Sequence, residues 1–83
     1  MNVSEAIKIK RQIQSVCNIE TKMLDIPAIG LVLTVERNSI TTDSYKLLAD
    51  FADQNNFTLQ LEMGKFIISN NGLPTSQSPR TIF

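Results

Sequence analysis

The chain has 83 residues, 42% of them hydrophobic and 19% charged, and its eight basic and eight acidic residues give a net charge of zero. A chain of this length forms one small domain at most, and the balanced charge disfavours nucleic-acid binders, which need a basic excess to neutralise phosphates. One cysteine and no histidine exclude an internal disulfide, a histidine-based zinc site and histidine-activated nucleophiles.

No stretch approaches the ~18 consecutive apolar residues of a membrane span. The first residues, MNVSEAIKIKRQ, carry frequent charges and lack the apolar core of a signal peptide. The three glycines, at positions 30, 64 and 72, are too scattered for a phosphate-binding loop. We therefore expect a cytoplasmic protein with no metal, no cofactor and no membrane contact.

The first predicted element is an amphipathic helix over residues 3–17, which Asn2 and Glu5 begin in the manner of a capping box. Spacings of three and four place its apolar residues in one stripe: Ala6, Ile9, Ile13, Val16 and Cys17. Lys8, Lys10 and Arg11 lie outside that stripe and form a candidate basic patch. Either a solvated helix face or an anion-binding surface accounts for them, since three charges make a weak electrostatic footprint.

Residues 18–29 give no decisive pattern. The piece TKML fits a short strand, and Pro27 would confine it to a sheet edge or a loop. GLVLTVE (30–36) is a strand that is apolar on nearly both sides, which favours a position inside the sheet. A second helix is predicted over 42–54, because hydroxyl residues precede it and Asp43 falls in its first turn.

Residues 57–69, FTLQLEMGKFIIS, predict a β-hairpin that turns at Gly64. Alternation directs Phe57, Leu59, Leu61 and Met63 to the core. The domain is expected to cover 1–69. Residues 70–83 are expected to form a flexible tail, within which Ile82 and Phe83 are candidates for docking on a partner or on the domain itself.

The order α-β-α-β-β predicts an α+β fold, a two-layer α/β sandwich with both helices on one sheet face. A right-handed crossover would make strands 30–36 and 57–63 parallel, and the hairpin would add an antiparallel edge strand, giving a small mixed sheet. The opposite face and the 65–69 edge then form a candidate interaction surface. Besides the apolar Val32, it holds Thr34, Glu36, Thr58, Gln60, Glu62, Lys65 and Ile67.

In element order, residues 30–69 resemble the SirA/TusA-like sulfur-carrier fold, which also has a strand, a helix with a phenylalanine near its end and a closing hairpin. The family's Cys-Pro-x-Pro motif opens its first helix, whereas here the first helix opens with NVSEA. The resemblance therefore implies a fold layout and assigns no functional residue.

Few residues suit catalysis. Cys17 falls at the C-terminal end of the first helix, where the dipole and burial both oppose a thiolate. Asp50 and Asp53 share a helix face without a partner that would separate their pKa values. Glu36, Arg37 and the loop 38–42 lie where α/β sheets often bind ligands, so they are the best small-molecule candidate.

These features predict a non-catalytic protein-interaction module or regulator that acts through an open sheet face or an edge strand, with a second copy as one candidate partner. The alternatives are a sulfur-carrier-like or thiol-dependent domain that uses Cys17, and a weak nucleic-acid binder that uses the first helix.

Overall fold

The computed structural model describes residues 1–27 and 29–70 of the chain. This part contains the helices α1 (Val3–Cys17) and α2 (Thr42–Gln54), and a short 3-10 helix (Arg37–Ser39). Its strands are β1 (Lys22–Ile26), β2 (Gly30–Glu36), β3 (Thr58–Glu62) and β4 (Lys65–Ser69). The tail predicted for 70–83 lies outside the described residues except for Asn70.

Both helices begin where the sequence predicts, because a side-chain oxygen accepts from a free backbone N–H at each start. Asn2 Oδ1 accepts from the Glu5 N–H at 2.7 Å, and Thr41 Oγ1 accepts from the Ser44 N–H at 3.1 Å. At the other end of α1, Asn18 takes the left-handed conformation, with φ of 57°. These local signals set where the two helices begin and where α1 ends.

The sheet has the order β1-β2-β4-β3, and every neighbouring pair is antiparallel. The predicted mixed sheet is therefore wrong, as is the parallel pairing of strands 30–36 and 57–63. β2 and β3 run in the same direction, but β4 lies between them. Strand composition explains this order: Ile67 and Ile68 are buried on opposite faces of β4, which suits an interior strand, whereas TLQLE in β3 alternates.

The interior position of β4 also corrects the prediction that the 65–69 strand is an edge. The edges of the described sheet are β1 and β3. Within residues 18–29, for which the sequence gives no decisive pattern, Lys22–Ile26 is thus a strand. Pro27 directly follows it, which is consistent with an edge position. β2 is interior, as predicted.

The β3–β4 hairpin closes through Met63 and Gly64, both of which have positive φ, 52° and 80°. Two central residues with positive φ characterise the type I′ turn that matches the twist of a hairpin. Met63 is consequently in the turn and 98% exposed, so the prediction that it faces the core is wrong. Leu61 lies on the helix side of the sheet at its edge and is half-exposed.

Both helices pack on one face of the sheet, which confirms the α+β class and the two-layer arrangement. One buried cluster joins residues of α1, α2, β2 and β4 with Ile19: Ala6, Ile9, Ile13, Cys17, Ile19, Leu33, Val35, Leu48, Phe51 and Ile68. Val16 belongs to the predicted stripe but is exposed. The other face of the sheet, on which no described helix packs, is called the helix-free face below.

Candidate functional site

The helix-free face brings together the seven residues predicted as an interaction surface. Residues directly opposite each other in neighbouring strands point to the same side of a sheet. The registers align them in three rows: Thr34, Ile67 and Gln60; Glu36, Lys65 and Glu62; and Thr58 opposite Ser69. The alternation of each strand was enough to place these residues together, although the strand order was wrong.

β1 adds residues to this face that the sequence did not assign. Leu24 lies opposite Val32 and Lys22 opposite Thr34, while Ile26 lies opposite Gly30. Leu24, Ile26 and Val32 give this end of the face an apolar character. The sequence signal for them was weak, because a five-residue strand beside a proline cannot be distinguished from a loop by alternation.

The polar end of the helix-free face is electrically balanced. Lys65 Nζ lies 3.7 Å from Glu36 Oε2, and both side chains are about half-exposed. A groove of about 260 Å³ at this end is lined by two lysines, two glutamates and three further residues: Lys22, Lys65, Glu20, Glu36, Thr34, Val35 and Ser39. Because the charges cancel, the groove does not select an anion or a cation. The exposed ion pair between Lys65 and Glu36 contributes only ~0–1 kcal/mol to folding stability.

The two sheet edges differ. Lys22, Met23, Leu24 and Asp25 of β1 are all exposed, and no described strand lies beyond them. Met23 and Leu24 are each 43% exposed, on opposite faces of the strand. At the other edge, Leu61 is the one exposed residue of β3, and the other four residues of that strand are half-buried. β1 is therefore the more accessible edge.

The candidate basic patch on α1 is only partly assembled. Lys8 and Arg11 line one groove of about 410 Å³, together with Ser4, Ile7 and Gln12. Lys10 is half-buried and does not line this groove. Two cations on one helix face make a small footprint for a nucleic acid.

The predicted small-molecule position after β2 corresponds to a cavity of about 170 Å³. It is lined by Arg37, Ile40, Thr41, Thr42, Tyr45 and Phe66. The Thr41 hydroxyl already accepts the N-cap hydrogen bond, and the Tyr45 ring packs on Phe66 at 5.2 Å between centroids. The one charged side chain of this lining, Arg37, is exposed. The cavity therefore offers little to orient a ligand.

Cys17 is completely buried in the core between α1 and the sheet. Burial raises the pKa of its thiol, since the charged thiolate loses solvation. A buried thiol that stays protonated is a poor nucleophile. This environment argues against the thiol-dependent alternative.

Asp50 and Asp53 are both exposed on α2. Residues 1–27 and 29–70 hold no cluster of three cysteine or carboxylate side chains suited to a metal ion. Neither helix in this part of the chain has the length and apolar character required to cross a bilayer.

Comparison of the chain with protein-family models, with curated proteins and with solved structures finds no match.

Proposed function

We propose that this protein is a small, non-catalytic interaction module that binds an extended strand along the free edge of β1, with a second copy of the chain as its first partner. The observation that carries the proposal is the exposure of β1. An edge strand presents unpaired N–H and C=O groups, and a partner strand can complete them by β-augmentation.

The side chains of β1 support this role. Met23 and Leu24 are equally exposed apolar residues on the two sides of the strand, so an added strand would cover apolar surface on both faces. Lys22 begins the strand and Asp25 is its fourth residue, so the edge carries one charge of each sign. Charges on an edge discourage indiscriminate pairing and favour a partner with a matching pattern.

A short chain also gains from a partner. Burial of apolar area only narrowly exceeds the loss of conformational entropy in domains below roughly 70–80 residues. Pairing two β1 strands across a two-fold axis would extend the sheet from four to eight strands. Self-association is thus a direct way to bury the exposed apolar side chains of β1.

The test compares three lysine substitutions at similarly exposed positions. Met23→Lys and Leu24→Lys lie on β1, at 43% exposure each, and Leu61→Lys lies on the opposite edge at 47%. Light scattering after size-exclusion chromatography measures the mass of each variant over a wide range of protein concentrations. We expect the unmodified chain and Leu61→Lys to dimerise with similar affinity, whereas both β1 variants stay monomeric.

Three other outcomes contradict the proposal. If Leu24→Lys alone abolishes the dimer, the copies meet through the helix-free face instead of the edge. If Leu61→Lys alone abolishes it, they meet at the β3 side. A chain that is monomeric at every concentration removes the second copy as partner.

A further inference from the structure

Two-fold symmetry restricts how two β1 strands can pair edge to edge. In a two-fold contact, the residue that one copy offers to its counterpart is met by the same residue from the other side. The axis that joins two sheets at one edge stands perpendicular to them, so the strands run antiparallel and each sheet face continues into the same face of the second copy. Because directly opposite residues point to one side of a sheet, one residue of β1 must lie at the axis, opposite itself.

The accessible part of the β1 edge has a defined start and end. Thr21, which precedes the strand, is 0% exposed, so its backbone is closed to a partner. Pro27, which follows the strand, has no N–H to donate. The accessible edge is therefore Lys22–Ile26, and Leu24 is its central residue.

Three residues near the middle of this edge could lie at the axis: Met23, Leu24 and Asp25. With Asp25 there, two carboxylates would lie directly opposite each other, which is destabilising, and Met23 would face Pro27 of the second copy. With Met23 there, Asp25 would face the closed position at Thr21. Leu24 at the axis avoids both conflicts.

Leu24 at the axis also uses the whole accessible edge. Three contacts then join the copies: Leu24 with Leu24, Met23 with Asp25, and Lys22 with Ile26. Each charged residue of the edge lies opposite an apolar one, so like charges are kept apart. Leu24 is 43% exposed in one copy, so its contact with the second Leu24 removes apolar surface of both copies from water.

The position of α1 leaves room for this arrangement. It packs on β2, which is one strand inside the edge. In the paired sheet the order β2-β1-β1-β2 separates the two β2 strands by three spacings of ~4.8 Å, so helices placed over them lie ~14 Å apart. This distance exceeds the ~10–12 Å diameter of a helix with its side chains, so the two α1 helices do not collide.

We propose that two copies of the chain pair antiparallel through β1, with Leu24 of each copy facing Leu24 of the other across the two-fold axis. This register rests on the proposed function and deepens it, since it fixes how the second copy binds. The helix-free faces of the two copies then form one continuous surface. Its centre is apolar, because Leu24 and Val32 are neighbours on this face in each copy.

Cysteine cross-linking of the full chain tests the register. Directly opposite side chains have Cβ atoms ~4.5–5.5 Å apart, close to the ~3.5–4.5 Å of a disulfide, whereas diagonal neighbours lie ~7–8 Å apart. The single variants Met23→Cys, Leu24→Cys and Asp25→Cys are oxidised by dissolved oxygen, and Leu61→Cys on the opposite edge gives the rate of chance collisions. Cys17 is completely buried and does not compete.

We expect Leu24→Cys to form a covalent dimer, whereas Met23→Cys and Asp25→Cys alone form one no faster than Leu61→Cys. An equimolar mixture of Met23→Cys and Asp25→Cys should form the mixed covalent dimer, which mass spectrometry identifies. This mixed dimer decides the register even if Leu24→Cys weakens association.

Light scattering on the same samples separates failure of the register from failure of the proposed function. A covalent dimer that forms fastest in Met23→Cys or in Asp25→Cys would overturn the register alone. So would variants that dimerise without cross-linking at any of these positions. An unmodified chain that is monomeric at every concentration would overturn the proposed function together with the register.

Discussion

Thr21 offers the sharpest test of the packing at the start of β1. Its side chain is 0% exposed, and Oγ1 has no hydrogen-bond partner among the described residues. A buried hydroxyl without a partner costs ~1–3 kcal/mol in lost hydration. Thr21→Val keeps the β-branched shape and replaces the hydroxyl with a methyl group, so it removes this cost.

The magnitude follows from two terms. Relief of the unpaired hydroxyl contributes ~1 kcal/mol or more, and burial of one added methyl contributes up to ~0.8 kcal/mol. We therefore expect Thr21→Val to raise the free energy of unfolding by about 1–2 kcal/mol. For a domain of this size, each 1 kcal/mol raises the Tm by roughly 4–8 °C.

Urea and thermal unfolding followed by circular dichroism measure this difference, and an unchanged m-value shows that the unfolded state is not the cause. Thr58→Val is the control, since Thr58 is a half-buried residue of β3 and its hydroxyl is not a buried group that lacks a hydrogen-bond partner. A loss of stability in Thr21→Val would refute the reasoning, because it would mean that the hydroxyl has a partner such as an ordered water molecule.

Two further predictions concern the hairpin turn and the buried thiol. Met63 has φ of 52° and is almost fully exposed, so Met63→Asn should raise stability by ~0.5–1 kcal/mol in urea unfolding, whereas Met63→Leu should leave it unchanged. A Met63→Asn variant no more stable than Met63→Leu would contradict the left-handed turn. The raised pKa of Cys17 gives a stabilisation that is complete below the pKa of an unfolded cysteine and is lost as the pH rises through the folded pKa. The free energy of unfolding should therefore fall as the pH rises above the pKa of an unfolded cysteine, about 8.5. The Cys17→Ala variant should not show this fall. An equal fall in both proteins would mean that other groups cause it.

The sequence predicts those parts of the fold that local signals control. Asn2 and the hydroxyl residues before α2 fix the starts of the helices, because a cap acts within four residues. Gly64 fixes the hairpin for the same reason. Alternation also places Thr34, Ile67 and Gln60 on one face, since the period of two holds in any strand order.

Local signals of this kind do not determine the order of the strands in the sheet. Whether β3 or β4 pairs with β2 depends on which strand buries more apolar surface from both sides, and this comparison involves the whole sheet. Counting the apolar residues of FII in β4 against those of TLQLE in β3 would have favoured the observed order. The sequence does not decide whether KMLDI forms a strand, because its one β-branched residue is the last. Leu24 and Ile26 are therefore absent from the predicted surface.

The central claim is that the edge of β1 pairs with a partner strand, and amide hydrogen exchange tests it most directly. Exchange is measured on the full chain at low and high protein concentration. The β1 amides that point away from β2 should exchange quickly at low concentration and slowly at high concentration, while β2 amides are protected in both. Unchanged exchange in Lys22–Ile26 under conditions in which the mass doubles would contradict the claim.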